Sequence, residues 1–349
     1  MGRKRSSKPT SFDIAYIAGV SQPTVSRALR GSRSVSLATR QRIEAIAREL
    51  NYSVDKNASS LRSQRANTIA LLFFEEQTPD ESRINPFFLA MLGSITRACA
   101  SRGFDLLISF QKMEDDWHTR YQDSHRADGL ILLGYGDYTL YEYTLYESRL
   151  ANLVRQGTHF VRWGSVNAEN IGATVGSDNF GAGQSAGEHL LALGRKRIAF
   201  IGQADEHYPE FAERYRGMCA ALKQAGIAPD PALQRGGVSY EDDGQRAVED
   251  LLSKDTPFDS IFAASDLIAI GAMRALAAAG LRIPEDVAVV GFDNQPAASM
   301  TNPPLTTVMQ DLKGAGDLLV DTLLDQIEDR PVDNRTIPTR LIVRRSTSG

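Results

Sequence analysis

Positive charge is concentrated in the first 65 residues of this 349-residue chain. That segment carries 13 Lys and Arg against 4 Asp and Glu, a net charge of +9, whereas the remainder carries 26 basic and 39 acidic residues, a net charge of −13. Ammonium and guanidinium groups at this density can neutralise phosphates, so the split favours a nucleic-acid-binding head on an acidic body. A solvated basic tail is the simpler alternative.

Catalytic and metal-binding chemistry has no comparable signal. The five histidines form no recognisable metal-binding or Ser/His/Asp arrangement, and no GxGxxG or P-loop follows an expected strand. Cys99 and Cys219 are far apart, which excludes a disulfide framework and fits a reducing cytoplasm. The sequence predicts no enzyme, no catalytic residue, no metal and no cofactor.

Membrane insertion and export are not expected either. No apolar run approaches the roughly 18 residues that a membrane helix needs. The basic N-terminus lacks the apolar stretch of a secretory signal.

The basic head has helical periodicity, which a solvated tail would lack. Ile14, Ile17 and Ala18 recur at helical spacing, and Asp13 or Ser11 could cap the first turn. We expect an all-α head of three short helices.

A glycine turn after the first helix gives the head its motif. Gly19 marks a tight turn, Ser21 caps a helix over 22–29, and Pro23 lies in its first turn, where a missing N–H is tolerated. A third helix opens at residues 36–39, with an apolar face made by Ile43, Ile46, Ala47 and Leu50. This pattern predicts a helix-turn-helix over residues 1–52.

Residues 53–66 separate the head from the body. The stretch SVDKNASSLRS at 53–63 is polar and too short for a stable isolated helix. It is either a plain linker or a segment that folds only on a partner.

Beyond residue 67 the chain alternates short apolar runs with amphipathic segments. The expected strands are 69–74, 106–110, 130–133, 160–163, 198–201, 261–264 and 287–291, and the intervening helices are 88–101, 181–193, 215–225, 245–253 and 269–279. The alternation predicts parallel sheets with helices on both faces, and about 280 residues favour two lobes. Ligands of such sheets bind beyond the carboxyl ends of the strands. A tandem YTLYE repeat at 138–147 receives no functional assignment.

Residues 13–29, DIAYIAGVSQPTVSRAL, closely resemble the head of the LacI/GalR family of bacterial repressors. Further segments support the resemblance in family order: ARELNY (47–52), SLR (60–62), NPFF (85–88), ADGL (127–130), GRKRIAFIG (194–202), ASDLIAIG (264–271), RIPEDV (282–287), VGFDN (290–294) and PPLTT (303–307). They cover nearly the whole chain, and together they are highly specific.

The resemblance implies a periplasmic-binding-protein-like body, residues 67–349, made of two Rossmann-like subdomains. The chain would cross between them near Asn167, Thr307 and Pro338. The first subdomain would comprise residues 67–167 and 308–337, and the second 168–307 and 338–349. A homodimer is also implied. The connection at 75–85 is longer than the family usually has and could shape the cleft entrance.

The family's base-reading positions correspond to Gln22, Pro23 and Arg27. Gln can pair with adenine, Arg with guanine, and Pro can only make apolar contact, for example with a thymine methyl. A phosphate contact or an exposed surface position is the alternative for Gln22 and Arg27. Side chains suited to phosphates are Ser21, Thr24 and Ser26.

Residues 57–62 resemble the family's hinge helix, which forms on DNA and enters the minor groove. Leu61 matches the wedge that opens a base step, Arg62 can follow the groove, and Asn57 and Ala58 complete the set. Ser59 departs from the usual Arg or Gln.

The resemblance also implies a small-molecule effector in the cleft. The implied effector-binding residues are Phe87, Phe88, Arg162, Trp163, Asp178, Arg214, Ser265 and Asp293. A structural role is equally plausible for Asp178, and core packing is the alternative for Trp163. Ser265 replaces the common Asn and Arg162 replaces a common acid. Arg162 with Arg214 could therefore favour an anionic effector, unless Arg162 pairs with Asp293 or another cleft acid.

The expected function is a cytoplasmic, nucleoid-associated regulator that represses carbohydrate-utilisation genes. It would bind a pseudo-palindromic double-stranded operator as a homodimer, and a mono- or disaccharide inducer would release it. A regulator responsive to a purine, a nucleoside or a phosphorylated sugar is the alternative, with co-repression in place of induction. A transport binding protein would have no use for the basic head.

Overall fold

The computed structural model describes residues 9–29, 31–32, 34–52, 65–74, 84–111, 116–133, 140–167, 169–238 and 240–348. The chain divides into two compact units, Met1–Ala66 and Asn67–Gly349. Below, the first is called the head and the second the body.

The head contains three helices: α1 (Ser11–Ala18), α2 (Gln22–Leu29) and α3 (Leu37–Glu49). Their buried faces form one small core from Ile14, Ala15, Ala18, Val25, Ala28, Val35, Ile43 and Ala47. Ile17 does not join this core and is 54% exposed, because its position on α1 turns it away from the face that carries Ile14 and Ala18.

The cap of α1 also differs from the expectation. Thr10 is the N-cap, and its hydroxyl accepts a hydrogen bond from the Asp13 amide while the Asp13 carboxylate accepts from the Thr10 amide. This reciprocal pair is a capping box, so Asp13 is its third helical residue and Ser11 the first. Gly19 ends the helix with φ of 62°, a conformation that favours glycine. Ser36 is the N-cap of α3.

The body alternates strands and helices, as the apolar pattern predicts. The strands are β1 (Thr68–Phe74), β2 (Asp105–Gln111), β3 (Gly129–Leu133), β4 (Phe160–Trp163), β5 (Ala173–Ser177), β6 (Ile198–Ile201), β7 (Gln234–Arg235), β8 (Ser260–Ala263), β9 (Ala288–Asp293), β10 (Thr306–Gln310), β11 (Arg335–Ile337) and β12 (Thr339–Ile342). The helices are α4 (Pro86–Ser101), α5 (Leu140–Arg155), α6 (Asn179–Ala192), α7 (Pro209–Gln224), α8 (Glu241–Ser253), α9 (Asp266–Ala278) and α10 (Leu312–Ile327).

The strands form two six-stranded sheets, which define an N-lobe and a C-lobe. The N-lobe order is β11-β5-β4-β3-β1-β2, and every neighbouring pair is parallel. The C-lobe order is β12-β10-β9-β8-β6-β7, in which β12 alone runs antiparallel to its neighbour. The predicted α/β body with two parallel-sheet subdomains is therefore confirmed.

Two of the three crossings between the lobes lie later in the chain than expected. Strand β5 belongs to the N-lobe, so the first crossing follows Ser177 and is not near Asn167. Strand β10 belongs to the C-lobe, so the second follows Gln310 and is not at Thr307. The N-lobe sheet contains two strands that the apolar runs do not indicate, β5 and β11, and the C-lobe sheet contains three, β7, β10 and β12. The third crossing is at Pro338, between β11 and β12.

Candidate functional site

Helix α2 carries the expected base-reading side chains, Gln22 and Pro23 in its first turn and Arg27 in its last. Pro23 and Arg27 are exposed, whereas Gln22 is half-buried. Val25 and Ala28 on the opposite face are buried in the head core. The core thereby fixes which face of α2 is turned outward, and that face carries all three predicted base-reading residues.

The hydroxyl residues around this turn are already hydrogen-bonded to one another. The Ser21 carbonyl accepts from the amides of Thr24 and Val25, and the Ser21 and Thr24 hydroxyls lie 2.9 Å apart. Ser26 is half-buried on the same helix. Ser21 thus has the N-cap position that the sequence predicts for α2.

Gln22 is held by a residue of another helix. Its Nε2 donates to Ser11 Oγ at 3.2 Å, which joins the first residue of α2 to the first residue of α1. Sequence reasoning considered Ser11 only as a helix cap and missed this contact. The predicted hinge residues Asn57, Ala58, Leu61 and Arg62 lie outside the described part of the chain, as does the long connection at 75–83.

In the N-lobe, the expected aromatic residues form one cluster. The ring centroids of Phe87 and Phe88 are 5.2 Å apart, and those of Phe87 and Trp163 are 6.1 Å apart. Phe87 and Trp163 pack into the core between the sheet and helices α4 and α10, while Phe88 stays half-buried. Trp163 is therefore mainly a core residue, and Phe88 is the ring best placed to face a ligand.

Arg162 lies on the opposite face of the same sheet. Successive side chains of a strand point to opposite faces, so Arg162 and Trp163 are separated. The guanidinium donates from Nε to Thr174 Oγ1 at 2.9 Å and lies 3.6 Å from the Glu147 carboxylate. Arg162 also forms a side-chain hydrogen bond with buried Tyr146. Arg162 thus pairs with an acid, but that acid is Glu147 and not Asp293.

In the C-lobe, Arg214 is buried on α7. Its Nε donates to Asn179 Oδ1 at 2.9 Å, and its Nη1 donates to the Ala264 carbonyl. The guanidinium carbon lies 3.5 Å from the ring centroid of Phe292, a cation–π contact. Burial lowers the pKa of Arg214 to about 10, against the opposing effect of nearby acids led by Asp293.

Asp293 ends β9 beside this arginine. Its φ of 108° is unusual for a residue with a side chain. Burial raises the pKa of Asp293 to about 6, although the positive charge of Arg214 and a hydrogen bond from Gln310 oppose the shift. A carboxyl group with this pKa is ionised at neutral pH and accepts hydrogen bonds from ligand hydroxyls there; protonation in mild acid weakens this acceptance.

Gln310 joins the two lobes at their crossings. Its Nε2 donates to Asp293 Oδ1 at 2.7 Å, and its Oε1 accepts from Ser177 Oγ at 2.5 Å. Ser177 is the last residue of β5 in the N-lobe, and Gln310 is the last residue of β10 in the C-lobe. Asn179, the partner of Arg214, donates to the Ser177 carbonyl at 3.1 Å. One buried polar chain therefore runs from Asp293 through the crossings to Arg214.

A second contact between the lobes lies at Glu210. This residue is in the first turn of α7, and its carboxylate accepts from the backbone amide of Ser165, which follows β4, at 2.8 Å. Sequence reasoning missed Glu210, Gln310 and Asn179. Gln310 is the last residue of β10 and Asn179 comes two residues after β5, so their place at the carboxyl ends of strands is the signal that could have identified them. Glu210 lies in the first turn of a helix, nine residues after β6, and has no such signal.

Two of the expected effector residues act as helix caps. The Ser265 hydroxyl accepts from the Ile268 amide at 3.3 Å and is buried at the start of α9. The exposed Asp178 accepts from the Gly181 amide at 2.8 Å at the start of α6. The capping bond gives Asp178 the structural role that the sequence left open. Ser265 directly precedes Asp266, whose carboxylate binds the backbone just after Asp293.

That neighbour, Asp266, supports the loop that carries Asp293. One carboxylate oxygen accepts from the Thr307 hydroxyl at 2.6 Å, and the other accepts from the backbone N–H of Gln295 at 2.7 Å. Burial, with a further effect of nearby Asp293, raises the pKa of Asp266 well above its usual value. These bonds fix the backbone that follows Asp293, directly at Gln295 and through Thr307, whose hydroxyl accepts from the Asn294 backbone amide at 3.2 Å.

Within the described ranges, no three His, Cys, Asp or Glu side chains group in a way that could hold a metal ion. The helices of those ranges include none that is long and apolar enough to cross a membrane.

Comparison with known proteins agrees with both parts of the chain. Residues 12–55 match the profile of bacterial regulatory proteins of the lacI family, and residues 188–347 match a periplasmic binding protein-like domain. The chain is 32% identical to the HTH-type transcriptional regulator CelR of Thermobifida fusca over 99% of this chain and 100% of that one. It is 31% identical to the HTH-type transcriptional repressor CytR of Escherichia coli K12, over 99% and 98%.

Solved structures show the same relationship. A CelR–cellobiose complex matches with a TM-score of 0.70 and 31% identity, covering 97% of this chain and 99% of that one. A lac repressor dimer bound to operator and the anti-inducer ONPF matches with a TM-score of 0.80 and 25% identity, covering 98% and 99%. These relatives are regulators and not enzymes. The chain belongs to the LacI family of DNA-binding transcriptional regulators.

Proposed function

We propose that this protein is a homodimeric repressor of carbohydrate-utilisation genes, released from a pseudo-palindromic operator by a neutral mono- or disaccharide. The observation that carries the effector class is the arrangement of Asp293, Gln310 and Arg214 at the crossings between the lobes. The partly exposed ring of Phe88 in the N-lobe supplies an aromatic face. A carboxylate and an amide can bind vicinal hydroxyls, and an aromatic face can cover sugar C–H groups. The residues predicted for this cleft then divide into direct contacts and supporting residues. They are Phe87, Phe88, Arg162, Trp163, Asp178, Arg214, Ser265 and Asp293.

The charge partners favour a neutral effector over a phosphorylated one. Arg162 already contacts Thr174, Tyr146 and Glu147. Arg214 is hydrogen-bonded to Asn179 and lies near the negative charge of Asp293. A phosphate would have to displace these groups and approach the nearby carboxylates, both unfavourable. Glu210 and Glu213 add further acid to the same region.

A purine or nucleoside effector is the second candidate. Phe88 can stack on a base as well as on a sugar, and the relative CytR is 31% identical while a relative named PurR, from Pasteurella multocida, is 28% identical. Carboxylate and amide groups can also pair with base edges.

In the head, Gln22, Pro23 and Arg27 would contact bases, and Ser21, Thr24 and Ser26 phosphates. Asn57, Ala58, Leu61 and Arg62 would form the minor-groove segment. Effector binding would weaken operator binding by favouring a conformer with lower DNA affinity, and the effector must bind that conformer more tightly to do so. A regulator of chromosomal operators would work in the cytoplasm, associated with the nucleoid.

A thermal-shift screen over neutral saccharides, sugar phosphates, nucleosides and purines tests the effector class. A ligand at 100-fold its Kd should stabilise the body by about 2.7 kcal/mol. An operator titration with and without that ligand gives the sign of regulation: weaker operator binding means induction, and stronger binding means co-repression. A stabilising ligand that leaves operator affinity unchanged would refute the coupling. Light scattering on the purified chain tests the dimer.

A further inference from the structure

We propose that Ser11 is a specificity-determining residue of the head, because it positions the Gln22 carboxamide to read adenine in the major groove. This role depends on the proposed base contact of Gln22. It assigns to α1, by its first residue, a part in base readout that otherwise belongs to α2 alone. Ser11 does not touch DNA in this role and acts through Gln22.

The Ser11 hydroxyl is available for this purpose because another residue caps α1. Thr10 provides the capping hydroxyl, and its reciprocal partner is Asp13. Ser11 Oγ instead accepts from Gln22 Nε2 at 3.2 Å, in a partly buried contact between residues eleven apart in the chain. The turn through Gly19 brings the two helix starts together.

The hydrogen-bonding capacity of a carboxamide matches this arrangement. Nε2 carries two N–H donors and Oε1 is an acceptor. Bidentate pairing with adenine needs one N–H for N7 and the oxygen for the N6 amino group. Ser11 accepts from the second N–H, so the positioning bond and the base contact use different hydrogens of Nε2.

The bond matters because the terminal torsion of glutamine is broad. Without Ser11 the carboxamide would sample many orientations, and DNA binding would have to fix one of them. Ordering a flexible side chain on binding costs about 0.5–1.5 kcal/mol, equivalent to roughly two- to twelvefold in affinity. That penalty would fall on the adenine site alone, since phosphate contacts carry no sequence information.

The test uses the full-length protein and a randomised duplex library to select inverted-repeat sites. The half-site position at which Q22A loses its preference identifies the base that Gln22 reads, and adenine is expected there. Binding titrations then compare the selected duplex with the three alternatives at that position. S11A should reduce discrimination there by roughly two- to tenfold, with unchanged affinity for unrelated duplexes and an unchanged salt dependence.

A double-mutant cycle separates positioning from a purely structural role. In the Q22A background, S11A should have no further effect on discrimination. In the chain that keeps Gln22, S11T retains the hydroxyl and should therefore retain the discrimination that S11A loses. S34A, which removes another hydroxyl of the head, should leave discrimination unchanged. Circular dichroism on each variant monitors head folding.

Three results would overturn the role of Ser11: unchanged discrimination in S11A, an equal loss of affinity for every duplex, or a full S11A effect in the Q22A background. A preferred base other than adenine would overturn the adenine assignment. If the wild-type chain enriches no inverted repeat, the proposed operator recognition itself fails, and the two failures are thereby distinguished.

Discussion

Effector affinity should fall in mild acid, because it depends on the ionised form of Asp293. Burial raises the pKa of this carboxyl to about 6 in the free protein. A ligand hydroxyl can donate to either oxygen of a carboxylate. Protonation turns one of these oxygens into an O–H donor and makes the group a weaker acceptor. Affinity is therefore complete well above pH 6 and is lost as the pH falls through the pKa.

The size of the effect follows from the fraction ionised. With a pKa of about 6, roughly half of Asp293 is ionised at pH 6 and about a tenth at pH 5. The apparent Kd should rise about twofold at pH 6 and about tenfold at pH 5 relative to pH 8, the latter equivalent to about 1.4 kcal/mol.

Isothermal titration of the effector from pH 8 to pH 5 measures this dependence, with D293N as the control. The variant should bind weakly at every pH and show little pH dependence, which separates Asp293 from any other group of the protein. A wild-type Kd that is constant from pH 8 to pH 5, or the same slope in D293N, would refute the assignment of Asp293 as the ionised acceptor.

Three other predictions concern the crossings, the head core and the hinge. Gln310→Leu removes both hydrogen bonds of a buried bridge and leaves Asp293 and Ser177 without them, so effector binding should weaken by about 1–3 kcal/mol in titrations, and unchanged affinity would show that the bridge to Ser177 is irrelevant to the site. Ile43→Ala should destabilise the head by about 2–5 kcal/mol and abolish operator binding while leaving the effector-induced thermal shift intact; exposed Ile17→Ala should change stability by less than about 0.5 kcal/mol. Leu61→Ala should weaken specific DNA binding and spare effector binding, and equal loss of both would contradict the hinge assignment.

The lobes show how far apolar periodicity reaches as a guide. It indicates strands such as β3 and β6, because these are buried on both faces and read as continuous apolar runs. It misses β5 and β10, whose Thr, Gly, Ser and Gln residues are buried through hydrogen bonds at the crossings. The displaced crossings near Asn167 and Thr307 have the same origin.

The duplicated YTLYE segment is a comparable case. Its second copy lies in α5, where Tyr146, which is buried, and Glu147, which is half-buried, are both partners of Arg162. The repeat in the sequence gives no sign of this, since the partner is on a strand that follows the helix. The sequence shows that Arg162 is an unusual residue for the cleft, but only packing shows which acid neutralises it.

The sequence by itself determines the class of the protein, the helix-turn-helix of the head and the outward face of α2. These depend on the spacing of apolar residues, on caps and on turn glycines, all of which act within a few residues. Tertiary structure decides which side chains meet: Ser11 with Gln22, Gln310 with Asp293 and Ser177, and Glu210 with the Ser165 amide. Such contacts depend on how helix starts and strand ends converge, and on which partner offsets the burial of each polar group, and no local pattern specifies either.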